Sequence, residues 1–192
     1  MATKTRPDFG KWLTYEEGIY SKTALDKGID NTPTQAQYNR MVETYRHVYA
    51  PLCEYYGVKL PVTSFFRSPA LNRAVGGSAQ SEHMKGGAID INCRRFNHPL
   101  TNNELFAHVR ATLSFDQLIF EAPDARNVPG WVHIAHRPGM GANRGQVLLA
   151  QLDHKGDMFY KDWPWKGGSG VAAVWLAGLL AGAFYYFTRT NS

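Results

Sequence analysis

A histidine and an aspartate stand seven residues apart in Ser81-Glu82-His83-Met84-Lys85-Gly86-Gly87-Ala88-Ile89-Asp90, and a second histidine follows in Trp131-Val132-His133-Ile134-Ala135. An imidazole nitrogen and a carboxylate oxygen suit a borderline ion such as zinc. Two imidazoles and one carboxylate leave the fourth position of a tetrahedral centre open, which is the layout of a catalytic rather than a structural zinc site. The bland alternative is a loop histidine near a strand-end aspartate, and for so short a pattern taken alone that alternative is favoured.

These side chains need elements to hold them. Ala88, Asp90 and Asn92 alternate with Ile89 and Ile91, which predicts a strand with Asp90 on one face and the isoleucines in the core. Trp131 to Ala135 alternates in the same way, so His133 shares a face with Trp131 and Ala135, and His136 points to the other. The Gly86-Gly87 pair lets the chain turn between His83 and its strand, because glycine accepts positive φ. Upstream, Tyr38, Met41, Val42, Tyr45, Val48, Tyr49, Leu52, Cys53 and Tyr56 form one stripe of a helix over 34–56, interrupted at Pro51 and ended at Gly57. A strand over 59–64 leads into a turn carrying Arg67, and a short helix over 69–75 follows. The Arg67 guanidinium offers a fork of donors to a carboxylate or a developing oxyanion; a structural ion pair is its equal alternative.

Thr14 with Glu17 and Thr101 with Glu104 read as capping boxes, the second opening a helix to about Leu113 that puts His108 at the surface or its boundary. Phe115–Glu121 and Trp131–His136 read as an antiparallel hairpin across a long loop, with Gln146–Leu152 a further strand. The expected class is α+β, a small antiparallel sheet with flanking helices. The expected organisation is an arm over 1–12, a domain over 13–160, a linker over 161–170 and a hydrophobic helix over 171–188.

Taken in order, Val62–Ser78, Ser81–Asp90, Asp116–Glu121, Trp131–Ile134 and Asn143-Arg144-Gly145 resemble the zinc D-alanyl-D-alanine peptidase family, in its single-domain branch of phages and bacteria. The likeness runs from about Leu13 to Leu149. It implies a Hedgehog/DD-peptidase-like fold, Zn2+ on His83, Asp90 and His133, and Arg67 at the substrate or transition state. Many members carry an acid three positions before the last zinc histidine, where this chain has Gly130. Glu121, at the end of the preceding strand, is the nearest candidate base; its alternative is to fix a ligand or neighbouring backbone. His136 is a weaker candidate, and Ser81 and Gln117 are candidate substrate contacts.

The resemblance implies a zinc peptidase acting on peptidoglycan at a D-Ala–D-Ala type bond, as a phage or bacterial wall-degrading enzyme such as an endolysin. Two alternatives stay open: an L-Ala–D-Glu endopeptidase, and a non-catalytic wall-binding or virion structural protein, kept alive by the glycine at 130.

The rest of the chain bounds the partners. With 192 residues, 44% hydrophobic and 19% charged, there is room for one domain with a sizeable core. A net charge of +5 suits an anionic wall or membrane surface, while no basic run or nucleic-acid motif is present. Cys53 and Cys93 read as buried free thiols, and the polar first ten residues show no signal peptide. Val171–Phe187 is seventeen residues without a charge, at the short end of what spans a bilayer, and sits behind a glycine-rich linker. Gly178 and Gly182 form a G-x-x-x-G compatible with helix-mediated pairing. The expected localisation is therefore a membrane, host inner membrane or virion. Lys155, Lys161 and Lys166 against Arg189 favour a cytoplasmic domain, which sits awkwardly with a wall substrate and leaves the side open.

Overall fold

Three helices begin where a threonine side chain accepts from the third helical amide and a glutamate or glutamine reaches back: Thr14 before α1 (Tyr15–Ile19), Thr34 before α3 (Gln35–Thr44) and Thr101 before α6 (Asn102–Thr112). The structure, a computed structural model, describes residues 6–95, 98–139, 141–152 and 158–163. Between α1 and α3 lies α2 (Lys22–Lys27). The aromatic stripe is one long helical segment in three parts. After α3 comes a π turn over Tyr45–Tyr49, and then α4 (Ala50–Tyr56), which Gly57 ends at φ 65. Pro51 explains the π turn. It has no N–H to donate, its ring crowds the preceding turn, and the chain widens so that the Ala50 amide reaches back to the Tyr45 carbonyl. Met41, Tyr45, Val48, Tyr49, Leu52 and Cys53 are buried along this stripe.

β1 (Val62–Ser64) is shorter than the 59–64 strand expected, and α5 (Pro69–Ala74) follows it. Then come β2 (Ala88–Ile91), β3 (Gln117–Glu121), β4 (Trp131–Ala135), β5 (Gln146–Leu152) and β6 (Met158–Asp162). They form one six-stranded sheet in the order β1-β2-β4-β3-β5-β6. The expectation of an antiparallel sheet needs correction. β3 and β4 do pair as an antiparallel hairpin, but β3 and β5 run parallel, so the sheet is mixed. The chain leaves β4, returns along a loop to the starting end of β3, and is tied there by Gly145 N–H to Phe115 O (2.9 Å) and Gln146 N–H to Asp116 O (3.0 Å). β6 runs through Asp162, beyond the expected end of the domain at 160.

Register divides the sheet into two faces. On one, Ile89, Ile91, Leu118, Phe120, Val132 and Ile134 are buried, and α6 packs there through Phe106, edge-on to Phe120 at 5.0 Å between centroids. Burial of each such side chain stabilises by about 1.5–3 kcal/mol. On the other face stand Asp90, Glu121, His133 and their neighbours. The core face therefore fixes where the polar face points.

Two local expectations also change. His108 is buried, its ring 4.0 Å from that of Tyr55, because it lies on the inner side of α6. Phe9, within the supposed arm, is buried among Tyr15, Tyr38, Tyr45 and Phe65. The helix expected over 171–188, with Gly178 and Gly182, and the linker from 164 onward lie outside the described residues. Among the described residues no helix is long and apolar enough to cross a membrane.

Candidate metal centre

Asp90 on β2 and His133 on β4 are directly opposed in antiparallel register, so their side chains leave the same face side by side. His83 arrives from a 3-10 turn, Glu82–Lys85, that ends at Gly86 with φ 77. A Cβ at Gly86 would lie 2.6 Å from the Gln37 carbonyl oxygen, so this close approach to α3 needs glycine. The helix grips the loop further: Gln37 Nε2 donates to Met84 O (2.9 Å) and Thr44 Oγ1 to Gly86 O (2.9 Å).

Three potential ligand atoms converge. His83 Nε2 lies 3.1 Å from Asp90 Oδ1 and 3.2 Å from His133 Nδ1, and His133 Nδ1 lies 2.8 Å from Asp90 Oδ1. Bonds of about 2.0–2.2 Å to one tetrahedral centre separate ligand atoms by about 3.3–3.6 Å, so the three atoms need move apart only slightly to take an ion. Tautomers agree. His83 Nδ1 stands 2.7 Å from Phe65 O, which can only accept, so Nδ1 carries the proton and Nε2 presents a lone pair. A neutral His133 then has at most one proton on Nδ1 to share between His83 Nε2 and Asp90 Oδ1. All three residues are buried, at 2–7% exposure, so a cation is the natural partner for this donor set. The residues fit zinc.

Charge is distributed accordingly. Burial works against ionised Asp90, but the charges and hydrogen bonds of His83 and His133 outweigh it and hold its carboxyl well below the usual range. Burial pushes His83 down, with Asp90 opposing. Burial also works against charged His133, yet its bond to Asp90 and the Asp90 and Glu121 charges raise it.

The remaining expected residues fall as follows. Glu121, 8% exposed, stands on β3 opposite Trp131 and lines the same cleft as the three ligands. Burial, then the Asp90 charge, push its carboxyl up to about 7. Gly130 closes the hairpin: its N–H reaches Glu121 O at 2.8 Å and Ala122 O at 3.2 Å. Arg67 donates from Nη2 to Asp90 Oδ2 (2.7 Å) and from Nε to Ser64 Oγ (2.7 Å). Asp90 thus turns one oxygen to the ligand trio and the other to Arg67. Ser81 and Gln117 also line the cleft, Gln117 with its amide on Gln146 (2.8 Å). His136 is directed away, its Nδ1 at 3.0 Å from Asn143 Nδ2 and its ring stacked on His47.

Sequence reasoning missed Asn31. Its amide donates to Ile19 O (2.8 Å) and Phe66 O (3.1 Å), and its oxygen accepts from Ser68 N–H (2.6 Å), clamping the turn on both sides of Arg67. An asparagine beside Thr32-Pro33 signalled only a loop. It also missed the way Asp116 gathers Arg137 and Arg144 on the cleft wall.

The cleft has a volume of about 820 Å³, inside the range of ligand-binding clefts and roomy enough for a short peptide. A buried two-histidine, one-aspartate site with a buried glutamate beside it, on the floor of such a cleft, has the layout of a metal-dependent hydrolase. Residues 11–134 match the model of the family Peptidase M15, a span that includes His83, Asp90, Glu121 and His133. The chain belongs to this family, the zinc D-Ala-D-Ala peptidases, and is a metallopeptidase by that membership. No curated protein matches the chain.

Proposed function

We propose that the chain is a zinc peptidase that hydrolyses a D-Ala–D-Ala type bond in the stem peptide or cross-link of peptidoglycan. The observation that carries this reading is the convergence of His83 Nε2, Asp90 Oδ1 and His133 Nδ1 beside a buried Glu121 whose carboxyl is raised to about 7. Bound zinc supplies Lewis-acid polarisation of the scissile carbonyl and makes water a nucleophile at neutral pH. The chain's own groups do the rest. Glu121 accepts the proton of the attacking water and returns it to the leaving amine, a task suited to a carboxylate that titrates near neutrality. Arg67 keeps Asp90 oriented, and its remaining donors serve the developing oxyanion. Phe65 O fixes the His83 tautomer.

The non-catalytic reading drew its support from the missing acid at 130. Glu121 on the neighbouring strand supplies an acid to the same cleft, which favours catalysis. The test is a zinc-loaded Glu121→Gln variant acting on purified peptidoglycan. It should keep its zinc and lose on the order of 10²–10⁴ in kcat, the usual worth of a positioned base. Wild-type rates in that variant would remove Glu121 from the role.

A further inference from the structure

We propose that Arg137 and Arg144, yoked by the buried carboxylate of Asp116 on the wall of the cleft, bind a free carboxylate of the peptide substrate some three residues from the scissile bond. The inference rests on the peptidase reading above and deepens it: it selects the isoglutamyl α-carboxylate of the stem peptide.

Asp116 is fully buried. Arg144 grips it with a fork, Nε to Oδ1 and Nη2 to Oδ2, both 2.8 Å, and Arg137 adds Nε at 3.0 Å from Oδ1. One negative charge therefore holds two guanidiniums, and the group carries a net positive charge. The arginine side chains are 40% and 45% exposed, and both line the cleft. Among the described residues the terminal nitrogens of Arg137 and Nη1 of Arg144 have no recorded partner, so donors in fork geometry remain for an incoming carboxylate. The pair is built in advance. Arg137 N–H donates to Asn143 Oδ1 (2.7 Å), Asn143 Nδ2 to Ser114 Oγ (3.0 Å), and Arg144 N–H to Asp116 Oδ1 (3.3 Å). Little ordering is left for the binding step.

Position selects the carboxylate. Ile119 on β3 lies opposite His133, and Asp116 is three residues back along that chain. At about 3.3 Å per residue the arginine pair is then about 10 Å from the ligand trio along the sheet, the length of about three extended residues. A carboxylate next to the scissile bond is too close, and Arg67 already stands there. In a lysine-type stem peptide cut between its terminal alanines, the isoglutamyl carboxylate is the one at this remove.

The probes are the pentapeptide L-Ala-γ-D-Glu-L-Lys-D-Ala-D-Ala and its isoglutamine counterpart, in which that carboxylate is an amide. Each is titrated into the full, zinc-loaded, ¹⁵N-labelled chain while the arginine Nε–H resonances are followed. The carboxylate survives D-Ala release, so turnover does not erase the signal. The glutamate peptide should shift the Arg137 and Arg144 resonances and bind about tenfold tighter than the amide, the worth of a charge-assisted hydrogen bond of about 1.4 kcal/mol. Arg137→Gln, which leaves the Arg144 fork on Asp116 intact, should remove that preference. Equal affinity for the two peptides, a response at Arg67 alone, or a preference that survives Arg137→Gln overturns the proposal, even if both peptides are hydrolysed. Carboxylate-selective binding without hydrolysis would uphold it and overturn the peptidase reading instead. No binding of either peptide overturns both.

Discussion

Glu121 shows how much a single residue gives up for its position. Its carboxyl is raised from an ordinary 4.5 to about 7 by burial and by the Asp90 charge. In the unfolded chain it titrates near its ordinary value, so between pH 4.5 and 7 the folded chain binds more protons than the unfolded one. Stability of the metal-free chain therefore falls as pH rises through that window and stays reduced above it. At about 1.4 kcal/mol per unit, the penalty is about 3 kcal/mol. Metal-free Glu121→Gln should accordingly be more stable than its parent at pH 8, by about 2–3 kcal/mol, and no more stable below pH 4.5. Urea unfolding at the two pH values checks this, and equal stability at pH 8 would remove the buried-charge argument. The residue itself could be found in the sequence, because the strand it ends lies just before the one bearing His133. Its placement was harder to see: only the hairpin register sets Glu121 opposite Trp131.

At the scale of elements, the glycine turn between His83 and β2 was legible from Gly86-Gly87 alone. What it turns against was not, since the contact with Gln37 and Met41 is nearly fifty residues away in the chain. Gly86 combines φ 77 with a carbonyl 2.6 Å from where a Cβ would sit, so it has no room to relax. Gly86→Ala should destabilise the fold by about 2 kcal/mol or more and weaken zinc binding, because the turn carries His83. Thermal unfolding and a zinc titration measure both effects; unchanged zinc affinity would show that the turn does not place the ligand. The long aromatic helix gives a parallel case. Its stripe, its stop at Gly57 and a break at Pro51 were all readable, whereas the form of the break, a π turn over Tyr45–Tyr49 rather than a kink, was not.

For the whole molecule, alternation along β2 and β4 announced the two-faced sheet, and the α+β class followed. The parallel β3–β5 pair did not, because strand direction there depends on Asp116 holding the returning loop through Arg137, Arg144 and Gln146. β6 was hidden for a related reason: Met158–Asp162 is mostly exposed and carries little periodic signal. The chain's net charge of +5, with basic groups on the cleft wall, predicts a salt effect on anionic wall material. Raising ionic strength from 0.05 to 0.5 M shortens the screening length from roughly 14 to 4 Å and should lower kcat/KM on peptidoglycan several-fold. The same change should leave cleavage of a small uncharged peptide almost unaffected; a matching loss on both would assign the effect to the fold. The central claim is met most directly by digesting purified peptidoglycan with the full chain, with and without a chelator, and reading the fragments by mass spectrometry. The account predicts chelator-sensitive, zinc-restored loss of terminal D-Ala or opening of a D-Ala cross-link, and intact peptidoglycan after treatment with a folded, zinc-loaded chain would contradict it.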